Sequence, residues 1–260
     1  MMRNNIKKMI VTDLDGTFLK DDKTISDYSI EIIKTLRNQG HVFVVATARP
    51  LRAARKFLKK IDIDAGIYHN GALIYIDDMK VDNYQIENPV HIIDIVKKKN
   101  PHCSVAVESN DVLYSNFDAE KMWPGTDYEL VDSDFSIVEG KKADKIIVKL
   151  TSHEEVNDYA KLLPDDLYIQ VSENIIGMIM KKSATKRNGI SYVAEKYEIN
   201  REDIIAFGDD YNDIDMMEFA GKGICVANGL DIVKEKSDEV CESNENDGVC
   251  RWLEDNLMFL

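Results

Sequence analysis

The sequence predicts an α/β protein, with a Rossmann-like core on a parallel sheet interrupted by an inserted α+β module. Three observations lead there. Apolar runs alternate with helically spaced apolar stripes at both ends of the chain, the middle alternates short strand patterns with turn pairs, and an acidic cluster follows an apolar run at each end. Strand–helix–strand alternation implies parallel strands joined by right-handed crossovers. The expected boundaries are 1–80 and 184–260 for the core, and 81–183 for the insert.

Met9-Ile10-Val11 is a short apolar run that ends at Thr12-Asp13-Leu14-Asp15-Gly16-Thr17. Ser26 suits the N-cap of a helix whose Ile30, Ile33 and Leu36 recur at helical spacing, and Gly40 suits its exit. Val42 to Ala46 is uninterrupted and apolar, as a strand covered on both faces should be. Pro50 fits a first helical turn, with Leu51, Ala54 and Leu58 as the stripe that follows. Ile67 and Leu73 to Ile76 predict strands around a turn at Asn70-Gly71.

In the middle, helices are expected over Pro89 to Lys99 and His153 to Leu163, the second with Val156, Tyr159, Ala160 and Leu163 on one face. Strands are expected over Ser104 to Glu108, Lys145 to Leu150, Leu167 to Val171 and Ile175 to Lys181. Asn110-Asp111 and Glu173-Asn174 read as hairpin turns, so this sheet should be antiparallel. The α/β pattern then returns with an Ile190, Val193, Ala194, Tyr197 stripe and runs at Ile204 to Phe207 and Ile224 to Ala227.

Hydrophobic residues make up 44% of the 260 positions and charged residues 31%, a balance that supplies a sizeable core and argues against long disorder. The net charge of −14 disfavours nucleic acid and anionic membrane surfaces as partners. The N-terminal basic stretch leads into no long apolar segment, so a cytoplasmic location is expected. Four cysteines without a CxxC pair indicate neither a zinc knuckle nor a dithiol centre.

The clusters Asp13-x-Asp15-Gly16-Thr17 and Gly208-Asp209-Asp210-Tyr211-Asn212-Asp213 both follow strand patterns. In open α/β sheets the carboxyl ends of strands form the ligand crevice. Carboxylates converging there repel one another unless a cation neutralises them, and oxygen ligands favour Mg²⁺. Each cluster alone reads equally as turn and cap chemistry. From Asp209, the sixth and twelfth positions are Ile214 and Ala220, which excludes an EF-hand. There is no Gly-x-x-x-x-Gly-Lys loop. Thr47-Ala48-Arg49 after the second strand and Lys186 before the Ile190 helix offer a hydroxyl, backbone N–H groups and an ammonium to phosphate oxygens. Taken singly, Thr47 reads as a helix cap and Lys186 as a surface lysine.

In order, Asp13-x-Asp15-Gly16-Thr17, Thr47, Lys186 and Gly208-Asp209-Asp210-Tyr211-Asn212-Asp213 resemble the four motifs of the haloacid dehalogenase (HAD) superfamily. With Asn70-Gly71-Ala72, the insert and Asp247-Gly248-Val249, the chain is similar to the Cof-type branch with a C2B cap. Ala48 stands where that branch commonly carries Gly, and Asp210 adds a charge.

The resemblance implies a phosphatase in which Asp13 attacks phosphorus and Asp15 serves as general acid and base. Leu14, Thr47, Ala48, Lys186 and Asn212 would hold phosphoryl oxygens, and Arg49 would contact substrate. Asp13, the backbone carbonyl of Asp15, Asp209 and Asp213 would hold Mg²⁺, with Asp213 acting through water or behind the other ligands. The expected partner is a small phosphorylated metabolite, with sugar phosphates first, on a monomer or small homo-oligomer. A sugar phosphomutase of the same superfamily and a non-catalytic sensor of phosphorylated metabolites stay open as alternatives.

Overall fold

The computed structural model describes residues 7–81, 84–132, 134–152, 154–172 and 176–258. The chain forms two compact units, Met1–Val81 with Thr185–Leu260, and Asp82–Ala184. No helix among the described residues is long and apolar enough to cross a membrane.

The N-terminal segment supplies β1 (Met9–Thr12), α1 (Asp27–Asn38), β2 (Val42–Ala46), α2 (Leu51–Leu58), β3 (Ala65–Tyr68), β4 (Leu73–Ile76) and β5 (Met79–Val81). The insert contributes α3 (Pro89–Lys99), β6 (Val105–Ser109), β7 (Val112–Ser115), β8 (Glu129–Leu130), β9 (Lys145–Lys149), α4 (Glu155–Ala160), β10 (Leu167–Ser172) and β11 (Ile176–Lys181). The chain then adds α5 (Lys186–Lys196), β12 (Ile204–Gly208), α6 (Ile214–Phe219), β13 (Lys222–Val226), α7 (Asp231–Lys236), β14 (Glu239–Cys241) and α8 (Gly248–Leu253).

The first unit is built on an eight-stranded sheet in the order β14-β13-β12-β1-β2-β3-β4-β5. It is parallel from β14 to β3 and antiparallel from β3 to β5. Every residue of β1, β2 and β12 is buried, which is why these strands read as continuous apolar runs. Helix α1 starts where the Ser26 hydroxyl accepts the Ser29 N–H (3.0 Å) and ends before Gly40, whose φ of +93° suits glycine. Its Ile32, Ile33 and Leu36 pack with Phe43 and Val45 of β2, at about 1.5–3 kcal/mol for each fully buried side chain. Pro50 is the N-cap of α2, and Leu51, Ala54 and Leu58 are its buried face. The edge strands β5 and β14 gave no sequence signal. They are three residues long, partly exposed and bear charges, as edges that avoid pairing with other chains do.

In the second unit the strand order is β10-β11-β9-β6-β7-β8. It is antiparallel except for β7 with β8, which pair in parallel. Asn110 and Asp111 have φ of +52° and +63°, the conformation a tight hairpin needs. The Glu173-Asn174 turn and His153 lie outside the described residues. Helix α3 matches its expected span, but α4 stops at Ala160, three residues short of Leu163. Pro164 closes the following turn by accepting the Leu167 N–H (3.0 Å), and Ala160 is exposed while Tyr159 is buried. Residues of α3 and α4 form one core with β6, β9, β10 and β11, and Ala106, Leu113, Ile147 and Ile176 pack separately with Phe117 and Trp123.

Candidate active site

Strand register assembles the site. Thr12, the last residue of β1, pairs with Val45 of β2 and Phe207 of β12, so the three strands end at the same level. Asp13 follows β1, Thr47 follows β2 and Asp209 follows β12, all at the carboxyl ends where such sheets bind ligands. The Asp13 N–H donates to the Phe207 carbonyl (3.0 Å), extending the ladder by one residue. Lys186 is the first residue of α5, whose N-cap Thr185 accepts the Asn188 N–H through its hydroxyl (3.1 Å). Gly71, at φ +110°, makes room for this cap, because a Cβ there would lie 2.2 Å from the Thr185 carbonyl oxygen.

Lys186 is 1% exposed, and its ammonium donates to Asp13 Oδ1 (2.5 Å) and Asp213 Oδ1 (2.6 Å). Carboxylate oxygens of Asp13, Asp209 and Asp213 lie within 4.8 Å of one another. Asp213 Oδ2 accepts the backbone N–H groups of Asp209 (3.0 Å) and Asp210 (3.1 Å), so this residue braces the loop as well as facing the cluster. The Thr17 hydroxyl donates to Asp209 Oδ1 (2.6 Å). At Gly16, φ is +78° and a Cβ would stand 2.5 Å from Asp209 Oδ2, so only glycine lets the two acidic loops meet this closely.

Burial pushes the Asp13 carboxyl well above its usual range, against the pull of Lys186. Burial also works against the Lys186 ammonium, but Asp13 and Asp213 outweigh it and hold the charge. Asp209 is pushed up to about 6 by burial, with Asp213 and Asp210 adding to the shift and the Thr17 hydrogen bond opposing it. One ammonium therefore faces three carboxylates. An all-oxygen donor set with surplus negative charge fits a hard divalent cation.

The raised value at Asp209 has a consequence for stability without metal. The folded protein binds a proton there more tightly than the unfolded chain. The resulting stabilisation is full below the ordinary value of 3.8 and lost as pH rises through about 6. Replacing Asp209 by Asn, which can still accept from Thr17, is expected to raise metal-free stability at pH 7 by on the order of 2 kcal/mol. Below pH ~4 it should add nothing. Thermal unfolding in chelator across this range checks it, and a gain independent of pH would contradict it.

Asp15 stands apart from the three-carboxylate cluster. Its Oδ1 accepts from Arg49 Nη2 (2.6 Å) and Lys23 Nζ (2.8 Å), and its Oδ2 accepts from Arg49 Nε. Burial would raise its pKa, but the hydrogen bonds from Arg49 and Lys23 outweigh that and hold the carboxyl below its ordinary value. The Arg49 guanidinium also lies 4.7 Å from the Phe57 ring centroid.

Thr47 is buried, and its hydroxyl accepts the Arg49 N–H (3.2 Å). It caps no helix, since Pro50 is the N-cap of α2. Ala48 is exposed beside it. Leu14 is buried, and its carbonyl accepts from the Phe18 and Leu19 N–H groups (3.1 and 2.8 Å). Asn212 donates to Asn70 Oδ1 (3.1 Å), joining its loop to the β3–β4 turn. Sequence reasoning assigned no role to Thr17, Lys23 or Asn228, whose side-chain amide donates to the Gly16 carbonyl (2.7 Å). Thr17 was legible inside the first motif. Lys23 and Asn228 carry no motif, and only the folded loops bring them in.

Comparison with known proteins points one way. A family model described as haloacid dehalogenase-like hydrolase matches residues 10–253. The 5-amino-6-(5-phospho-D-ribitylamino)uracil phosphatase YitU of Bacillus subtilis is 30% identical over 261 residues, covering 95% of this chain and 96% of that protein. YcsE of Bacillus subtilis, which bears the same enzyme name, is 26% identical and covers 95% of this chain and 94% of its own. The crystal structure of TM0651 from Thermotoga maritima superimposes with a TM-score of 0.84 at 27% identity, covering 96% of this chain and 97% of that one.

Proposed function

The chain belongs to the haloacid dehalogenase-like hydrolases, in the Cof-type phosphatase branch, and on that premise we propose that it is a Mg²⁺-dependent phosphatase of small phosphorylated metabolites. Asp13 is the nucleophile, and residues 81–183 act as the cap domain. The observation that carries the reading is the buried Lys186 ammonium bridging Asp13 and Asp213, beside a third carboxylate, Asp209. A buried lysine bonded to two acids is an expensive arrangement, suited to gripping a phosphoryl group.

Asp13 attacks phosphorus in line with the leaving oxygen. The Asp13 oxygen–phosphorus bond forms as the ester bond breaks, and the departing oxygen takes a proton that Asp15 carries once the substrate has drawn Arg49 off its carboxyl. Asp15 then takes a proton from water, whose oxygen bonds to phosphorus as the Asp13 bond breaks. Before the attack, Lys186 orients Asp13 and favours its ionised form against burial. Thr47, Asn212 and the N–H groups of Leu14 and Ala48 hold the phosphoryl oxygens, and Arg49 contacts the substrate. Asp13, Asp209 and the Asp15 carbonyl, with Asp213 behind them, would hold Mg²⁺, which would neutralise charge on the phosphoryl oxygens.

Sugar and sugar-alcohol phosphates are the substrate class we favour. YitU and YcsE are named for a substrate with a phosphorylated ribityl chain, which supports this choice. The test is a phosphate-release screen over sugar phosphates, sugar-alcohol phosphates, nucleotides and phosphorylated cofactors, with and without chelator. Release is expected from the first two groups, lost in chelator and restored by Mg²⁺. Release indifferent to chelation would overturn the metal assignment, and activity confined to nucleotides would overturn the substrate class.

A further inference from the structure

We infer that Lys23 is a positioning residue for Asp15, fixing which carboxylate oxygen meets the leaving group; the inference rests on the proposed role of Asp15 as the acid. The two oxygens of Asp15 are unequally held. Oδ1 takes two cationic donors, Lys23 Nζ at 2.8 Å and Arg49 Nη2 at 2.6 Å, whereas Oδ2 takes Arg49 Nε alone. Arg49 is the partner that a substrate would draw away. Lys23 then remains on Oδ1 and keeps the carboxyl from turning, with Oδ2 presented to the ester oxygen.

A largely exposed ion pair contributes little net attraction, so that attraction alone does not put Lys23 there. The loop does. Lys23 has a φ of +66°, a left-handed conformation uncommon for lysine. The turn is closed by the Lys20 N–H to the Thr24 carbonyl (3.0 Å) and the Lys23 N–H to the Lys20 carbonyl (2.8 Å). Asp22 Oδ1 accepts both the Thr24 N–H (2.9 Å) and its hydroxyl (2.6 Å).

A remote segment then pins this turn. Asn244, 3% exposed, donates its side-chain amide to the Leu19 carbonyl and to Asp21 Oδ1, each at 3.0 Å. Glu245 accepts the Asp21 N–H at Oε1 (2.6 Å), and its carbonyl accepts from Lys20 Nζ (2.6 Å). A lysine serving only as surface charge needs no such anchorage.

Leaving-group dependence separates positioning from general damage. An alkoxide must receive a proton to depart, whereas p-nitrophenolate leaves without one. The experiment compares kcat/KM for the best alkyl phosphate of the release screen and for p-nitrophenyl phosphate, using the full chain and its Lys23→Ala, Lys23→Arg and Asp15→Asn variants. Lys23→Ala is expected to lower kcat/KM about ten-fold on the alkyl phosphate and less than about two-fold on p-nitrophenyl phosphate. Lys23→Arg should recover most of the loss, and Asp15→Asn should show the same selectivity more strongly. If Asp15→Asn discriminates but Lys23→Ala lowers both substrates equally, or neither, Lys23 does not position the acid. If Asp15→Asn itself fails to discriminate, the acid assignment falls and takes the inference with it.

Discussion

Replacing Lys186 by methionine is expected to remove both turnover and a large part of the stability. Methionine keeps an unbranched chain of similar volume, so packing changes little and the loss isolates the ammonium. That ammonium is the counter-charge bonded to both Asp13 and Asp213, whose side chains are 9% and 1% exposed. Breaking a buried ion pair by removing one partner costs about 3–5 kcal/mol, because the remaining charge stays buried. The carboxylates also lose the group that orients Asp13, and kcat should fall ~10²–10³-fold, the range seen when a charge-stabilising donor is removed. Phosphate release measures the first effect and thermal unfolding in chelator the second. Mg²⁺ should return part of the stability, since a cation can neutralise the same oxygens, but not the activity. A variant with nearly parental rate and melting temperature would show that Lys186 serves neither turnover nor the fold.

The second large effect is at Asp13. Asparagine in its place keeps the size and an acceptor for Lys186 but has no nucleophilic oxygen, so turnover should drop by at least ~10⁴-fold. The fold should survive. Burial already opposes the Asp13 charge, and removing it leaves Lys186 paired with Asp213, so the melting temperature is expected to equal or exceed that of the parent. Steady-state phosphate release and calorimetry together test this. Normal turnover would refute the nucleophile, and an unfolded variant would show that Asp13 is needed for the scaffold.

Much of the core was legible because β1, β2 and β12 are covered on both faces and so cannot alternate. Their apolar runs stop where the polar loops begin, and that boundary marks Asp13, Thr47 and Asp209 in the sequence. Lys186 was ambiguous for a physical reason. Lys181, Lys182, Lys186 and Arg187 crowd one stretch, and nothing local says which of them is buried. The close approach of Gly71 to Thr185, which seats the α5 cap against the β3–β4 turn, joins segments far apart in the chain. Thr47 looked like a helix cap because Pro50 permits a cap before it, but the helix begins at Leu51 and the hydroxyl serves the Arg49 N–H instead. Lys23 shares the β1–α1 loop with Asp15, but Arg49 comes from the β2–α2 loop, so no short sequence window contains the whole grip on Asp15. Helix α4 was overextended because its stripe continues through Leu163, although the backbone has already turned.

Trapping the covalent state tests the role of Asp13 most directly. The full chain, mixed briefly with its best substrate and Mg²⁺ and quenched in acid, can be reduced with borohydride, which converts an acyl phosphate to homoserine. Peptide mass mapping is expected to find homoserine at position 13 and nowhere else, with none in the Asp13→Asn protein. Modification at another carboxylate, or phosphate release with no trapped species under single-turnover conditions, would contradict a phosphorylated Asp13.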